Sequence, residues 1–150
     1  MTTRKSTHTI VVGVDGSDHS ERAVAWCADH AKALDAQVVA VYAMEPAFYG
    51  GYSGLVAMSL PIAMTADQRL AIKEVVTENW CKALASAGVS FLVRVEDGSP
   101  SATLIRVASE VDANLVVTGR RGHGGFAALL LGSTTYQLSH HLNRPHLIVP

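Results

Sequence analysis

The sequence predicts an α/β fold, an open parallel sheet of five strands with helices on both faces, and three observations carry that expectation. Five short runs, Thr9 to Val14, Ala36 to Ala43, Val89 to Val95, Leu115 to Thr118 and His146 to Val149, are apolar nearly throughout, as strands buried on both faces are. Between them lie four stretches whose apolar residues recur at three- and four-residue spacing, the period of a helix packed on one side. Strand and helix alternate along the chain, and a crossover helix is what joins parallel neighbours.

At 150 residues one core, and therefore one domain spanning 1–150, is the expectation. Residues 1–8 are polar and read as a flexible N-terminus. The first strand stops at Asp15-Gly16-Ser17, a tight turn whose Ser17 or Asp18 can cap the helix that follows. That helix places Ala23, Val24, Cys27, Ala31 and Leu34 inside and Glu21, Arg22, Asp29 and Lys32 outside. With Ala36 to Ala43 it completes a βαβ unit.

From 44 to 65 the periodicity dissolves among Pro46, Gly50, Gly51, Gly54 and Pro61. A loop this long in a compact domain is a lid, a contact surface or a mobile segment. From Ala66 onward, Ile72, Val75, Val76, Ala83, Leu84 and Ala87 line one side of a single long helix that ends near Gly88. After the third strand, Asp97-Gly98-Ser99-Pro100 turns into a helix with Pro100 in its first positions and Leu104, Val107, Ala108 and Val111 inside. The last helix runs from about Ser133 to Leu142, and Asn143-Arg144-Pro145 stops it before the fifth strand.

Composition narrows the classes of function. Hydrophobic residues at 49% and charged residues at 17% fit a packed fold and argue against disorder. The balance of 12 basic against 13 acidic residues leaves a net charge of -1, so no global field draws the chain to nucleic acid or to an anionic membrane. Any anion site must be local. No apolar run reaches the length of a membrane span, and MTTRKSTHT lacks the apolar stretch of a signal peptide, so a cytoplasmic protein is expected. Cys27 and Cys81 are too few for a disulfide framework or a zinc knuckle and read as small buried hydrophobes. Trp26 and Trp80 fall on helices and read as packing.

The stretch from Asn114 to Tyr136, NLVVTGRRGHGGFAALLLGSTTY, carries the chemistry. A buried strand runs into Gly119, Gly122, Gly124 and Gly125, then a short apolar patch, then Gly132 and the hydroxyls of Ser133, Thr134 and Thr135 at a helix start. Glycines let a backbone approach an anion, and a helix start offers unpaired N–H groups at the positive end of its dipole. Open parallel sheets bind ligands beyond the carboxyl ends of their strands, where strand order reverses. Asp15 and Gly119 both sit at such ends, and they share one crevice if the first and fourth strands are neighbours.

These residues resemble a single-domain universal stress protein of the nucleotide-binding kind. That branch carries a glycine, two residues, a glycine, nine residues, a glycine and then Ser or Thr. Gly119, Arg120-Arg121, Gly122, His123 to Leu131, Gly132 and Ser133 follow the pattern without a gap. VVGVDGSDHSERAVAW, VVAVYAMEP and PHLIVP are also similar to the family's segments, so the resemblance covers about residues 8 to 150. It implies a Rossmann-like sheet of the adenine nucleotide alpha hydrolase-like kind, of order 3-2-1-4-5, and a homodimer joined along the last strand. It implies an ATP with adenine and ribose near Val14, Asp15 and Ala43, and with ribose and phosphates near Thr118, Gly119, Arg121, Gly122, His123, Gly132, Ser133, Thr134 and Thr135. Ala43 is smaller than the valine often found at its position, which loosens an adenine pocket but leaves a backbone contact possible.

Other readings of the same residues stand beside these. Asp15 can be a turn residue bonding its own backbone, Ser133 a simple helix cap, and Arg120 and Arg121 solvated loop charges. Lysines occur at Lys5, Lys32, Lys73 and Lys82, none of them near the glycine loop, which excludes a P-loop NTPase. Phosphates would rest on backbone N–H groups, hydroxyls and Arg121, with Mg²⁺, which needs few protein ligands, bridging phosphate oxygens. His140 and His141 are adjacent on a helix and point about 100° apart, so they form no metal pair. No Gly-x-Ser-x-Gly elbow, paired carboxylates or receiver-like acidic cluster offers a catalytic group. The expected function is a nucleotide-dependent stress-response or signalling module acting through conformation and partner choice. The alternatives are a slow ATPase or adenylyl-transfer enzyme on the same scaffold, and a non-nucleotide-binding dimeric interaction protein whose crevice is blocked by residues 44–65.

Overall fold

The computed structural model describes residues 6–45, 64–123 and 130–150. The strands are β1 (His8–Gly13), β2 (Ala36–Met44), β3 (Phe91–Asp97), β4 (Leu115–Gly119) and β5 (His146–Val149). The helices are α1 (Asp18–His30), α2 (Ala66–Val75), α3 (Lys82–Ser86), α4 (Pro100–Glu110) and α5 (Ser133–His141). All five strands are parallel, in the order β3-β2-β1-β4-β5, as expected. Strand β1 is central, and its Val11 pairs with Val39 on one side and Val116 on the other.

Continuous apolar strands follow from burial on both faces. Ile10, Val12, Val38, Ala40, Val93 and Val117 point into a core shared with α1 and α3, while Val11, Val39, Val41 and Val116 point into a second core shared with α4 and α5. Successive residues of a strand face opposite layers, so both alternate positions are mostly apolar, with buried Thr9 and Thr118 the hydrogen-bonded exceptions. Among the described residues no helix is long and apolar enough to cross a membrane.

Three crossovers leave their helices through the same closing turn. Asp35 (φ 49°), Gly88 (φ 63°) and Asp112 (φ 48°) adopt the left-handed conformation, and the next residue's N–H returns to a carbonyl five residues back, Ala36 to Ala31, Val89 to Leu84 and Ala113 to Ala108. This explains two departures from the sequence expectation. Helix α1 ends at His30, before the expected Leu34, which is 45% exposed in the turn. Strand β3 begins at Phe91, two residues later than expected, because buried Val89 closes the preceding helix and pairing with Val38 starts only at Phe91. At the N-terminus, His8 belongs to β1, with the N–H groups of Thr7 and His8 donating to the Asp35 carbonyl; residues 1–5 of the expected flexible segment lie outside the described residues. Met44 and Thr65 at the ends of the expected 44–65 loop belong to β2 and to the capping box of α2, and 46–63 lie outside the described residues.

The expected single helix from Ala66 to Gly88 is interrupted. Between α2 and α3 the chain makes one π-helical turn, Val76–Trp80, in which the Cys81 N–H reaches back five residues to the Val76 carbonyl at 2.9 Å. The widened turn brings Val76, Cys81 and Leu84 together into the core, fully buried, and leaves Val75, expected inside, 47% exposed.

The two outer strands are fastened by further hydrogen bonds. On β3, Arg69 of α2 donates to the Val95 carbonyl at 3.0 Å and pairs with Asp97 at 2.7 Å, which blunts an otherwise open edge. On β5, Thr118 Oγ1 and His146 Nε2 lie 2.8 Å apart and the Arg120 N–H donates to the Val149 carbonyl at 2.7 Å. Burial holds the His146 imidazole below its ordinary value of 6.5.

Two measurements test this packing. Leu84→Ala is expected to lower the unfolding free energy by about 2–5 kcal/mol and Val75→Ala by about 0.5 kcal/mol or less; the reverse order in urea titrations would restore the uninterrupted helix. Because His146 binds its proton less readily folded than unfolded, its contribution is complete above pH 6.5 and is lost as pH falls through the depressed folded value. The urea midpoint is expected to fall as pH drops below 6.5, and His146→Gln is expected to flatten that slope.

Candidate functional site

The crevice lies beyond the carboxyl ends of β1 and β4, where strand order reverses on either side of β1. It holds a cavity of about 430 Å³, and the twelve residues singled out from the sequence all line it.

From the segment just past β1, which ends at Gly13, one residue short of the expected Val14, come Val14, 4% exposed, and Asp15. The turn after them folds locally: Ser17 caps α1 by accepting from the Ser20 N–H, and the Ser17 N–H and hydroxyl both donate to Asp15 Oδ1. Asp15 is therefore the Asx-type turn residue that its place before glycine allows. Its other oxygen does something the turn does not require. Oδ2 accepts the His123 N–H at 3.1 Å, from the loop after β4. Burial by itself raises the Asp15 carboxyl pKa, but hydrogen bonds from Ser17, from the His123 N–H and from Ser20 outweigh it and hold the group below its ordinary 3.8. The carboxylate is ionised at neutral pH and can only accept.

From β4 come Thr118, 5% exposed, and Gly119. The motif glycines are sites of close approach. A Cβ at Gly119 would collide with the His19 carbonyl, and one at Gly122 with Asp15 Oδ2. Gly132, whose Cβ would stand 3.1 Å from Arg121 Cα, receives the chain back onto the loop, its N–H donating to the Arg120 carbonyl. Helix α5 then starts, among the described residues, with no side-chain cap on the N–H groups of its first turn. Ser133 and Thr134 stand at this start, while the Thr135 hydroxyl is committed to the Gly119 carbonyl at 2.9 Å, tying α5 to β4. Arg121 lines the cavity with its Nε buried and unpaired among the described residues, whereas Arg120 does not line it.

Residues not singled out beforehand complete the walls. Gly13 and Val41 are the strand-end neighbours of Val14 and Ala43, and the run of apolar residues into each turn could have found them. Ser20, one turn into α1, and Glu45, just past β2, sit beside expected residues without a motif to mark them. Pro100 and Leu104 arrive on α4 from a distant part of the chain, and no local signal announces them. Val14, Val41, Ala43 and Leu104 give the lining an apolar part, and the start of α5 with Ser133, Thr134 and Arg121 gives it hydrogen-bond donors. Among the described residues no cluster of three His, Cys, Asp or Glu could hold a metal by itself.

Comparison with known proteins gives this geometry its context. The chain matches the Universal stress protein family model over residues 6–150. It is 29% identical over 145 residues to a universal stress protein of Mycolicibacterium smegmatis, aligning 93% of this chain with 47% of that one. It is 31% identical over 145 residues to a universal stress protein of Thermus aquaticus, aligning 94% of this chain with 97% of that one. The chain thus spans about half the length of the Mycolicibacterium relative and nearly all of the Thermus one. Among solved structures, a universal stress protein crystallised in complex with cAMP is similar at a TM-score of 0.69 and 28% identity, with 95% of each chain covered. A universal stress protein from Archaeoglobus fulgidus shares the fold at a TM-score of 0.68 and 22% identity, with 95% of this chain and 93% of that one covered. A match that begins two residues before β1 and runs to Pro150 leaves no strand of the sheet outside it, and the chain belongs to the universal stress protein family.

Proposed function

We propose that this chain is an adenine-nucleotide-binding module, with ATP as its ligand, in which occupancy sets conformation and partner choice in a stress response. The observation that carries the reading is convergence: residues from 14 to 135, chosen for nucleotide chemistry, wall one cavity whose lining combines apolar side chains with hydrogen-bond donors. The similar protein crystallised with cAMP supports an adenine nucleotide as the ligand class. On this reading the base lies against Val14, Val41, Ala43 and Leu104, Asp15 accepts from the ribose, and the loop from Gly119 to His123 with Gly132 to Thr134 holds phosphates.

Magnitudes say what such a site needs. A helix-start contact contributes about 0.3–1 kcal/mol, whereas micromolar binding requires about 8 kcal/mol. Three or four N–H contacts are therefore insufficient, and burial of the ring against the apolar part of the lining has to supply much of the rest. The donor set fits phosphate oxygens, and Mg²⁺ would draw most of its ligands from those oxygens and water. With no Walker lysine in the sequence, ATP turnover is slow or absent. We place a homodimer contact along β5, whose outer edge has no partner strand among the described residues.

Isothermal titration is expected to give about one ATP per chain; no heat and no competition from ATP, AMP or cAMP would end the proposal. Gly122→Ala, which forces a methyl against Asp15 Oδ2, is expected to weaken ATP at least about tenfold, with little change in Tm because Gly122 is exposed. Sedimentation of the free protein is expected at twice the chain mass; a concentration-independent monomer would remove the β5 contact.

A further inference from the structure

We infer that the π-helical turn Val76–Trp80 is a positioning device for the cavity, seating Trp80 on the Gly16 turn and so fixing the Asp15 carboxylate; the inference rests on the nucleotide reading above. Trp80 does not line the cavity. It stands behind it. A Cβ built on Gly16 would lie 2.6 Å from the indole Cε2 and Cζ2 and 2.9 Å from Nε1, so the ring occupies the space that any side chain at residue 16 would need. Gly16 also has φ +77°, the left-handed region, and no other residue type meets both conditions without strain. On another side the ring meets Tyr42 edge-on, with centroids 5.1 Å apart and planes at 89°. Tyr42 directly precedes Ala43. One side chain therefore braces both strand-end segments, after β1 and at the end of β2, that contribute to the apolar part of the lining.

The π turn explains how Trp80 gets there. In a regular α-helix residue 80 would stack over residue 76 and follow it into the core. Here the ring of hydrogen bonds closes one residue later, from the Cys81 N–H to the Val76 carbonyl. Cys81 takes the core position above Val76, both fully buried, and Trp80 is turned by about one residue, roughly 100°, onto the flank that faces Gly16. The consequence for the site runs through Asp15. Its Oδ1 is held by the same turn through Ser17, and its Oδ2 must reach the His123 N–H across the crevice. Glycine alone leaves that turn many conformations; the indole beside it removes those that would enter its space.

The test uses the full chain, titrated with ATP by calorimetry, as wild type, Trp80→Leu, Asp15→Asn and the double variant. Trp80→Leu is expected to weaken ATP about tenfold, and in the Asp15→Asn background it is expected to have almost no further effect, because the two act through one group. Effects that multiply independently, or wild-type affinity in a folded Trp80→Leu, overturn the inference. A brace that merely stabilises the fold would lower Tm without this coupling. In a Trp26→Phe background Trp80 is the sole tryptophan, and its emission is expected to shift on ATP binding and to lose that shift in Asp15→Asn; an unchanged emission counts against the inference. If Trp80→Leu fails to fold, the emission measurement and Trp80→Phe, which keeps a ring, decide. If wild type binds no adenine nucleotide, the functional reading falls, and the brace is judged separately by amide exchange of residues 15–17 without ligand. That exchange is expected to rise about tenfold or more in Trp80→Phe or Trp80→Leu, and equal rates reject the brace.

Discussion

Asp15 accepts hydrogen bonds from both loops that shape the cavity, at Oδ1 from Ser17 and at Oδ2 from His123, and the geometry of the site depends on that double commitment. The first set of bonds is local and would form in almost any Asp-Gly-Ser turn before a helix. The second spans more than a hundred residues and exists only because β1 and β4 are neighbours. It also accounts for Gly122, whose missing side chain is the space Oδ2 occupies. A pattern of glycines that reads as room for an anion is, in this chain, first of all room for a carboxylate and for the His19 backbone. The hydrogen-bond donors left open at the cavity are those at the start of α5, where the N-cap Gly132 supplies no side-chain cap.

The scaffold behind Asp15 is rigid for ordinary reasons. Strand β1 is paired on both sides and packed on both faces, so its carboxyl end cannot shift without disturbing two cores. The ion pairs are of another kind. Arg94, Glu96, Arg106 and Glu110 form a network between β3 and α4 in which Arg94 and Glu96 are half-buried and Arg106 and Glu110 exposed, and pairs so open to solvent contribute little. They fasten an edge and have no part in the cavity. Thr118 and His146 are closer to it: the hydroxyl that lines the cavity also meets the edge strand, so the site and the β5 edge share one contact.

How far the sequence could be read varied with the range of the force involved. The strand runs were legible because burial on both faces leaves an unmistakable apolar signature, and β5 starts and stops where expected. Helix boundaries were harder. Leu34 and Val89 have the right hydrophobicity to continue their elements, but the left-handed turns at Asp35 and Gly88 redirect them, and an aspartate in that conformation gives little warning. Val75 and Val76 fit the helical period equally well. Which of them faces the core was decided by a π turn whose cause, the simultaneous burial of Val76, Cys81 and Leu84, is a property of the assembled layers.

The sequence alone determined the class of sheet, the turns that carry chemistry and most of the cavity's polar residues, Ser20 and Glu45 excepted, because apolar runs, Asp-Gly-Ser and the spaced glycines act over a few neighbouring positions. Tertiary structure alone decided that Asp15 faces His123, that Thr135 is tied to Gly119, that Pro100 and Leu104 close the apolar wall, and that Trp80 stands against Gly16. Each of those contacts joins segments far apart in the chain, and their geometry is set by strand order and by the register of helices on the sheet, which no short window of residues encodes.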